Sequence, residues 1–372
     1  MLIQRNRAET MAYKTKSICL ECSCFIVILL LCLRLQAQTK AKVEAPSPFP
    51  AVDALLKQNQ KAMGNNILAL VSQNGKLIYQ RNLEKDIGEF NGKTQVPIGS
   101  CSQWLTAALV MTFVDEGKLS LEDKVSKYIP LYAKYMKTYI TVRNCLTNTT
   151  GIQADAAGAL KIFQKSKYQS LEDEVNSYAS TREIQANPGM EVFYNRVGYN
   201  IAGRILEIVG KKNFDRLAQE RIFRALKMRS TTFADESGGA VNPSGGALST
   251  GNDYINFLQM LLDSGMFQGK RVLSAKSVEE LNKLQFPDLP VKSIPKDAGS
   301  WKTGLGDWIQ TGPGGEPAVV CSLNINGIWP YIDLCRKYAA ILMVSSPTNE
   351  PKKDVYIRFK QLVDAQIGGS CP

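Results

Sequence analysis

Pro97-Ile98-Gly99-Ser100-Cys101-Ser102-Gln103-Trp104-Leu105-Thr106-Ala107-Ala108 is a small-residue turn that opens into a strongly apolar run. Leu105, Ala108, Leu109, Phe113 and Val114 keep helical spacing as far as Glu116, and Gly117 supplies a left-handed stop. The pattern predicts a buried helix beginning at Ser100. A serine there lies at the positive end of the helix, where free amide hydrogens of its neighbours would stabilise a developing oxyanion. Ser100 is therefore a candidate nucleophile; the plainer reading is a helix cap. A hydroxyl nucleophile needs an adjacent base, and the residue at i+3 shares its helix face. That residue is Gln103, whose amide takes up no proton at any useful pH.

The 372 residues, 44% hydrophobic and 21% charged, suffice for one large domain or two closely packed ones. The net charge of +11 falls to +8 without the first 37 residues, which hold five Lys/Arg and two Glu. Such a basic surface would attract membranes, acidic glycans or nucleic acid, but no Lys/Arg run or aromatic-basic interleaving supports a dedicated site, so the charge is assigned to a solvated surface. Histidine is absent. That excludes a Ser-His-Asp triad, a Cys-His dyad and any histidine metal site, so a hydrolase built on this chain needs Lys, Tyr or a carboxylate as base.

Residues 1–37 read as a signal peptide: Arg5, Arg7, Lys14 and Lys16 precede the apolar run Cys24 to Leu33, with an uncleaved signal anchor as the competitor. Residues 38–50 form a polar linker, and one domain is expected over 51–368. Five cysteines remain after the leader, namely Cys101, Cys145, Cys321, Cys335 and Cys371, and an odd count leaves at least one free or intermolecular thiol. None has metal-ligand spacing. Asn74-Gly75 predicts a hairpin between strands Ile67 to Val71 and Lys76 to Tyr79. Asn148-Thr149-Thr150 is a glycosylation sequon. Helices are expected at Val52 to Ala62, Asn200 to Val209, Phe214 to Leu226, Asp253 to Leu262 and Lys353 to Gln366. Strands are expected at Trp301 to Gln310, Ala318 to Leu323, Ile328 to Asp333 and Tyr338 to Val344. Strands at both ends of a mainly helical middle predict an α/β (α+β) fold, one antiparallel sheet flanked by helices with an all-helical subdomain inserted.

With these pieces the sequence resembles the serine β-lactamase and penicillin-binding-protein-like superfamily, in its class C β-lactamase, D-Ala-D-Ala carboxypeptidase and esterase branch, over about residues 52 to 366. The resemblance rests on Ile98-Gly99-Ser100-Cys101-Ser102, Glu116 through Leu121, Leu146 through Ile152, Tyr194 through Gly203 and Pro243-Ser244-Gly245-Gly246. It implies that Ser100-x-x-Gln103 is the family's Ser-x-x-Lys without its lysine. The Tyr-x-Asn motif becomes Tyr194-Asn195-Arg196. The Lys/His-Thr/Ser-Gly motif falls at Ser322-Leu323-Asn324, with Asn324 where glycine lets substrate pair with the strand. A literal Lys302-Thr303-Gly304 also occurs, although its continuation Leu305-Gly306-Asp307-Trp308 matches the strand before the motif.

These readings imply an exported, β-lactamase-related protein with an impaired or inactive site and no cofactor. Its old cleft, bordered by Arg196 and Trp104, would bind a small-molecule, peptide or acyl ligand, with an anion suiting Arg196. Membrane attachment is expected only if the leader stays uncleaved. The alternative is an active esterase, amidase or transacylase in which Ser100 is the nucleophile and Tyr194 the base, its pKa lowered by Arg196, or with Lys302 as base.

Overall fold

The computed structural model describes residues 46–85, 88, 90–154, 165–234, 238–293, 301–322, 327–345, 353–369 and 371. The expected leader, most of the linker, and Asn324 lie outside the described residues.

In chain order the elements are α1 (Pro50–Asn59), β1 (Ile67–Gln73), β2 (Lys76–Leu83), β3 (Val96–Pro97), α2 (Cys101–Asp115), α3 (Val125–Tyr128), α4 (Leu131–Lys134), α5 (Val142–Leu146) and α6 (Leu171–Thr181). Next come β4 (Val192–Phe193), α7 (Val197–Gly210), α8 (Phe214–Ala218), β5 (Leu248–Ser249), α9 (Gly251–Leu262), β6 (Met266–Phe267), β7 (Lys270–Arg271), α10 (Ala275–Leu281) and β8 (Val291–Ser293). The chain closes with β9 (Lys302–Thr303), β10 (Trp308–Thr311), β11 (Pro317–Cys321), β12 (Trp329–Asp333), β13 (Tyr338–Val344) and α11 (Lys353–Ile367).

Seven strands form an antiparallel sheet in the order β2-β1-β13-β12-β11-β10-β9. Asn74 and Gly75 turn the first hairpin with φ of 52° and 70°, the pair of positive angles that suits a two-residue turn to the twist of the strands. Side chains alternate across the sheet. Leu68 and Leu70 of β1 join Ala339, Ile341 and Met343 of β13 on the face covered by α2 and α9. Ile67, Ala69 and Val71 join Ala340, Leu342 and Val344 against α1 and α11, through Val52, Leu56, Phe359 and Val363.

Helix α2 is buried on all sides from Cys101 to Phe113, so the stripe read from sequence is in fact an apolar cylinder. It packs on α7 and α10. Two expected elements are interrupted. The strand predicted at Trp301 to Gln310 breaks into β9 and β10, because the Gly304 amide donates to the Asp307 carbonyl (3.1 Å) and closes a turn. The helix predicted at Phe214 to Leu226 leaves α-geometry after Ala218 and continues as a π-turn, Gln219–Phe223. Cys335 and Cys371 form a disulfide, while Cys101, Cys145 and Cys321 are free and buried.

Helix α7 follows the Tyr194-Asn195-Arg196 turn, and its approach to α5 fixes that turn in space. A Cβ at Gly198 would lie 2.2 Å from the Cys145 carbonyl oxygen, inside any real contact. Gly198→Ala is therefore expected to cost about 3 kcal/mol by forcing the two backbones apart, seen as a lowered thermal midpoint. An unchanged midpoint would contradict this packing.

Candidate active site

Gly99 has a φ of +51°, the left-handed geometry that turns the chain from β3 into α2 and leaves Ser100 at the helix start. Ser100 is 3% exposed, and its side chain makes no cap hydrogen bond, so capping does not explain it. It hydrogen-bonds instead to the phenol of Tyr194. The free neighbouring amides expected from sequence are not present. The N–H groups of Cys101, Ser102 and Gln103 donate to the carbonyls of Ile98, Gly99 and Ser100, at 3.1, 2.9 and 2.9 Å, in a tight first turn.

Gln103, 2% exposed, donates through Nε2 to Ser244 Oγ at 3.2 Å. Ser244 sits in the buried Asn242–Gly246 turn, where Asn200 Oδ1 on α7 accepts from its amide at 3.2 Å. From the other side, a Cβ on Gly306 would come within 2.6 Å of the Gln103 carbonyl oxygen. The i+3 position is thus held by an amide with no acid-base function, inside a close-packed wall.

Of the other candidate bases, Tyr194 bonds to Ser100 itself and Lys302 is engaged elsewhere. Burial drives the Tyr194 pKa well above the ordinary tyrosine value, with the Ser100 hydrogen bond offsetting only part of the rise. The expected lowering by Arg196 does not occur, because Arg196 Nη2 lies 2.8 Å from Glu174 Oε1 on α6, both side chains being buried. The Arg196 charge is met within the fold, and Tyr178 donates to the same Glu174 oxygen at 2.5 Å. Lys302 is exposed on the edge strand β9 and donates from Nζ to the Pro287 carbonyl at 2.9 Å. Ser322 follows β11 and hydrogen-bonds to Cys101, which brings the end of this strand to the start of α2. Burial lifts the Cys101 thiol to about 12, so it offers no thiolate in place of the serine.

Asn148 is buried, with its Oδ1 accepting from the Asn195 amide at 3.2 Å. Among the described residues no cluster of His, Cys, Asp and Glu has the arrangement of a metal site.

Two residues to which sequence reasoning gave no role complete the site. Ser244 fixes Gln103; the sequence signal was its glycine-rich turn. Asp307 is buried beside Gly304, and neither carboxylate oxygen has a hydrogen-bond partner among the described residues. A lone Asp between Gly306 and Trp308 was the only hint. Desolvation raises its pKa well above the carboxylate range.

With these elements in place, the fold is that of the β-lactamase and penicillin-binding-protein class of serine hydrolases. Residues 52–364 match the Beta-lactamase family, and the chain belongs to it. The D-alanyl-D-alanine-carboxypeptidase/endopeptidase AmpH of Escherichia coli K12 is 25% identical over 247 residues, 60% of this chain and 63% of AmpH. Penicillin-binding protein 4 of Amycolatopsis lactamdurans is 28% identical over 48% of this chain and 54% of its own length. This chain therefore matches less than two thirds of these relatives. A penicillin-binding protein homolog from Caulobacter crescentus superposes with a TM-score of 0.70 at 15% identity, covering 87% of this chain and 98% of that one. A beta-lactamase/D-alanine carboxypeptidase from Yersinia pestis gives 0.67 at 18% identity, covering 85% and 99%.

Because the Asp307 pKa is higher folded than unfolded, the unfolded chain loses this proton first. The destabilising contribution of this one group is then absent below about pH 4 and grows as pH rises toward the folded pKa. Asp307→Asn is expected to raise the thermal midpoint by several degrees near neutral pH and by little at about pH 4. A gain confined to acid pH would contradict the assignment.

Proposed function

We propose that this chain is a noncatalytic member of the beta-lactamase family that uses the former active-site cleft to bind a ligand or partner. The observation that carries the reading is the Gln103–Ser244 hydrogen bond, which holds a neutral amide at the position of the family's lysine. Tyr194 supports it, since burial holds the phenol in its protonated form. The names of the relatives favour a peptide or acyl group as ligand, and the Arg196–Glu174 pair favours a neutral one over an anion. Export is part of the proposal. The Cys335–Cys371 disulfide suits an oxidising compartment, and residues 1–37 have the charge and apolar order of a leader.

Loss of a general base costs roughly two to four orders of magnitude in rate. The wild type is expected to hydrolyse p-nitrophenyl esters no faster than Ser100→Ala, with Tyr194→Phe indistinguishable from both. A Ser100-dependent rate that collapses in Tyr194→Phe would overturn the reading and establish an esterase with a tyrosine base.

A further inference from the structure

Residues 124–139 contain four lysines and four tyrosines and no carboxylate. Their inner side is fixed to α6. The hydroxyl of buried Tyr132 donates to the Val175 carbonyl at 3.1 Å, and buried Lys137 donates from Nζ to the Ala179 carbonyl at 2.8 Å. Between these anchors the chain makes a tight turn, with the Met136 amide on the Ala133 carbonyl at 3.1 Å and the Lys137 amide on the Tyr132 carbonyl at 2.7 Å. Met136 occupies the left-handed region with φ of 57°, a conformation disfavoured for a side chain of this kind, and it is 86% exposed. Its apolar side chain therefore contributes little to the core.

Eight large hydrophobic residues are exposed among the described residues, and three of them, Tyr135, Met136 and Tyr139, fall in this one turn. Around them stand exposed Lys124, Lys127 and Lys134, the last with its ammonium 5.9 Å from the Tyr135 ring centre. The nearby carboxylates in sequence are engaged: Asp123 with Lys127 and Tyr128, and Glu122 with Arg143. Lys124 and Lys134 pair with no carboxylate among the described residues. Contrary to the sequence reading, basic and aromatic residues do interleave here.

We propose that the Lys124–Tyr139 turn docks on an anionic lipid surface, with Met136 and Tyr139 entering the headgroup boundary and Lys124 and Lys134 meeting lipid phosphates. A rigid apolar tip ringed by cations fits a bilayer interface, where an amphipathic aromatic sits at headgroup level and each lysine adds electrostatic attraction. A polyanion such as nucleic acid would use the lysines but not the methionine.

Both buried clusters lie between Phe49 and Val363, so residues 48–372 carry their own core and can be tested without the apolar run at 24–33. This protein is expected to sediment with phosphatidylglycerol-containing vesicles and not with phosphatidylcholine alone. Removing two lysines together, Lys124→Ser and Lys134→Ser, is expected to weaken binding roughly 25-fold. Met136→Ser alone should weaken it about tenfold. Thermal midpoints should stay unchanged, since these side chains are exposed; Tyr139→Ser gives a second apolar variant. Absence of sedimentation, equal binding to neutral vesicles, undiminished binding by the variants, or lysine dependence with both apolar variants silent would overturn the proposal.

Discussion

Burial of α2 on every side from Cys101 to Phe113 is the constraint from which the site follows. A helix enclosed in this way can neither rotate nor slide, so the turn at Gly99 holds Ser100 in one place and the first helical turn faces fixed neighbours. Tyr254 donates to the Cys101 carbonyl at 2.9 Å, Ser322 reaches Cys101, and Gly306 comes against the Gln103 backbone. The nucleophile's position is retained by packing that has nothing to do with proton transfer. Geometry and chemistry are thus separable here: the fold fixes the first independently of the second.

Electrostatics inside the pocket follow the same division. In a low-dielectric interior a charge persists only with a partner, and an unpartnered acid remains protonated. Arg196 has a partner in Glu174, and burial shifts Tyr194 and Asp307 toward their neutral forms. The groups packed beside Ser100 and Gln103 include neutral donors and acceptors, Ser244 and Tyr194 among them.

What the sequence made legible was local or periodic. The Ser100 and Gln103 relation is an i,i+3 spacing, the Asn74-Gly75 hairpin is a two-residue signal, and strand alternation sorts the core onto two faces. What it hid depends on separation along the chain. Glu174 lies 22 residues before Arg196, so no pattern announced that the guanidinium would be neutralised, and Ser244 lies 141 residues from the Gln103 it holds. The closed first turn of the helix is equally invisible, since it distinguishes i→i+3 from i→i+4 bonding by backbone geometry alone. The basic aromatic turn at 124–139 was readable in composition, but only its anchors on α6 distinguish Lys137 and Tyr132, which are buried, from Lys134 and Tyr139, which are not.

The proposal turns on one point: Gln103, in place of the family's lysine, is what leaves Ser100 without a base. The direct test is the intact mass of wild type and of Gln103→Lys after exposure to a penicillin, with Ser100→Ala in each background. The account predicts no adduct on the wild type and a penicilloyl adduct on Gln103→Lys that disappears with Ser100. An adduct on the wild type at Ser100 would contradict it by showing that another group already takes the serine's proton; no adduct on Gln103→Lys would contradict it by showing that more than the base has been lost.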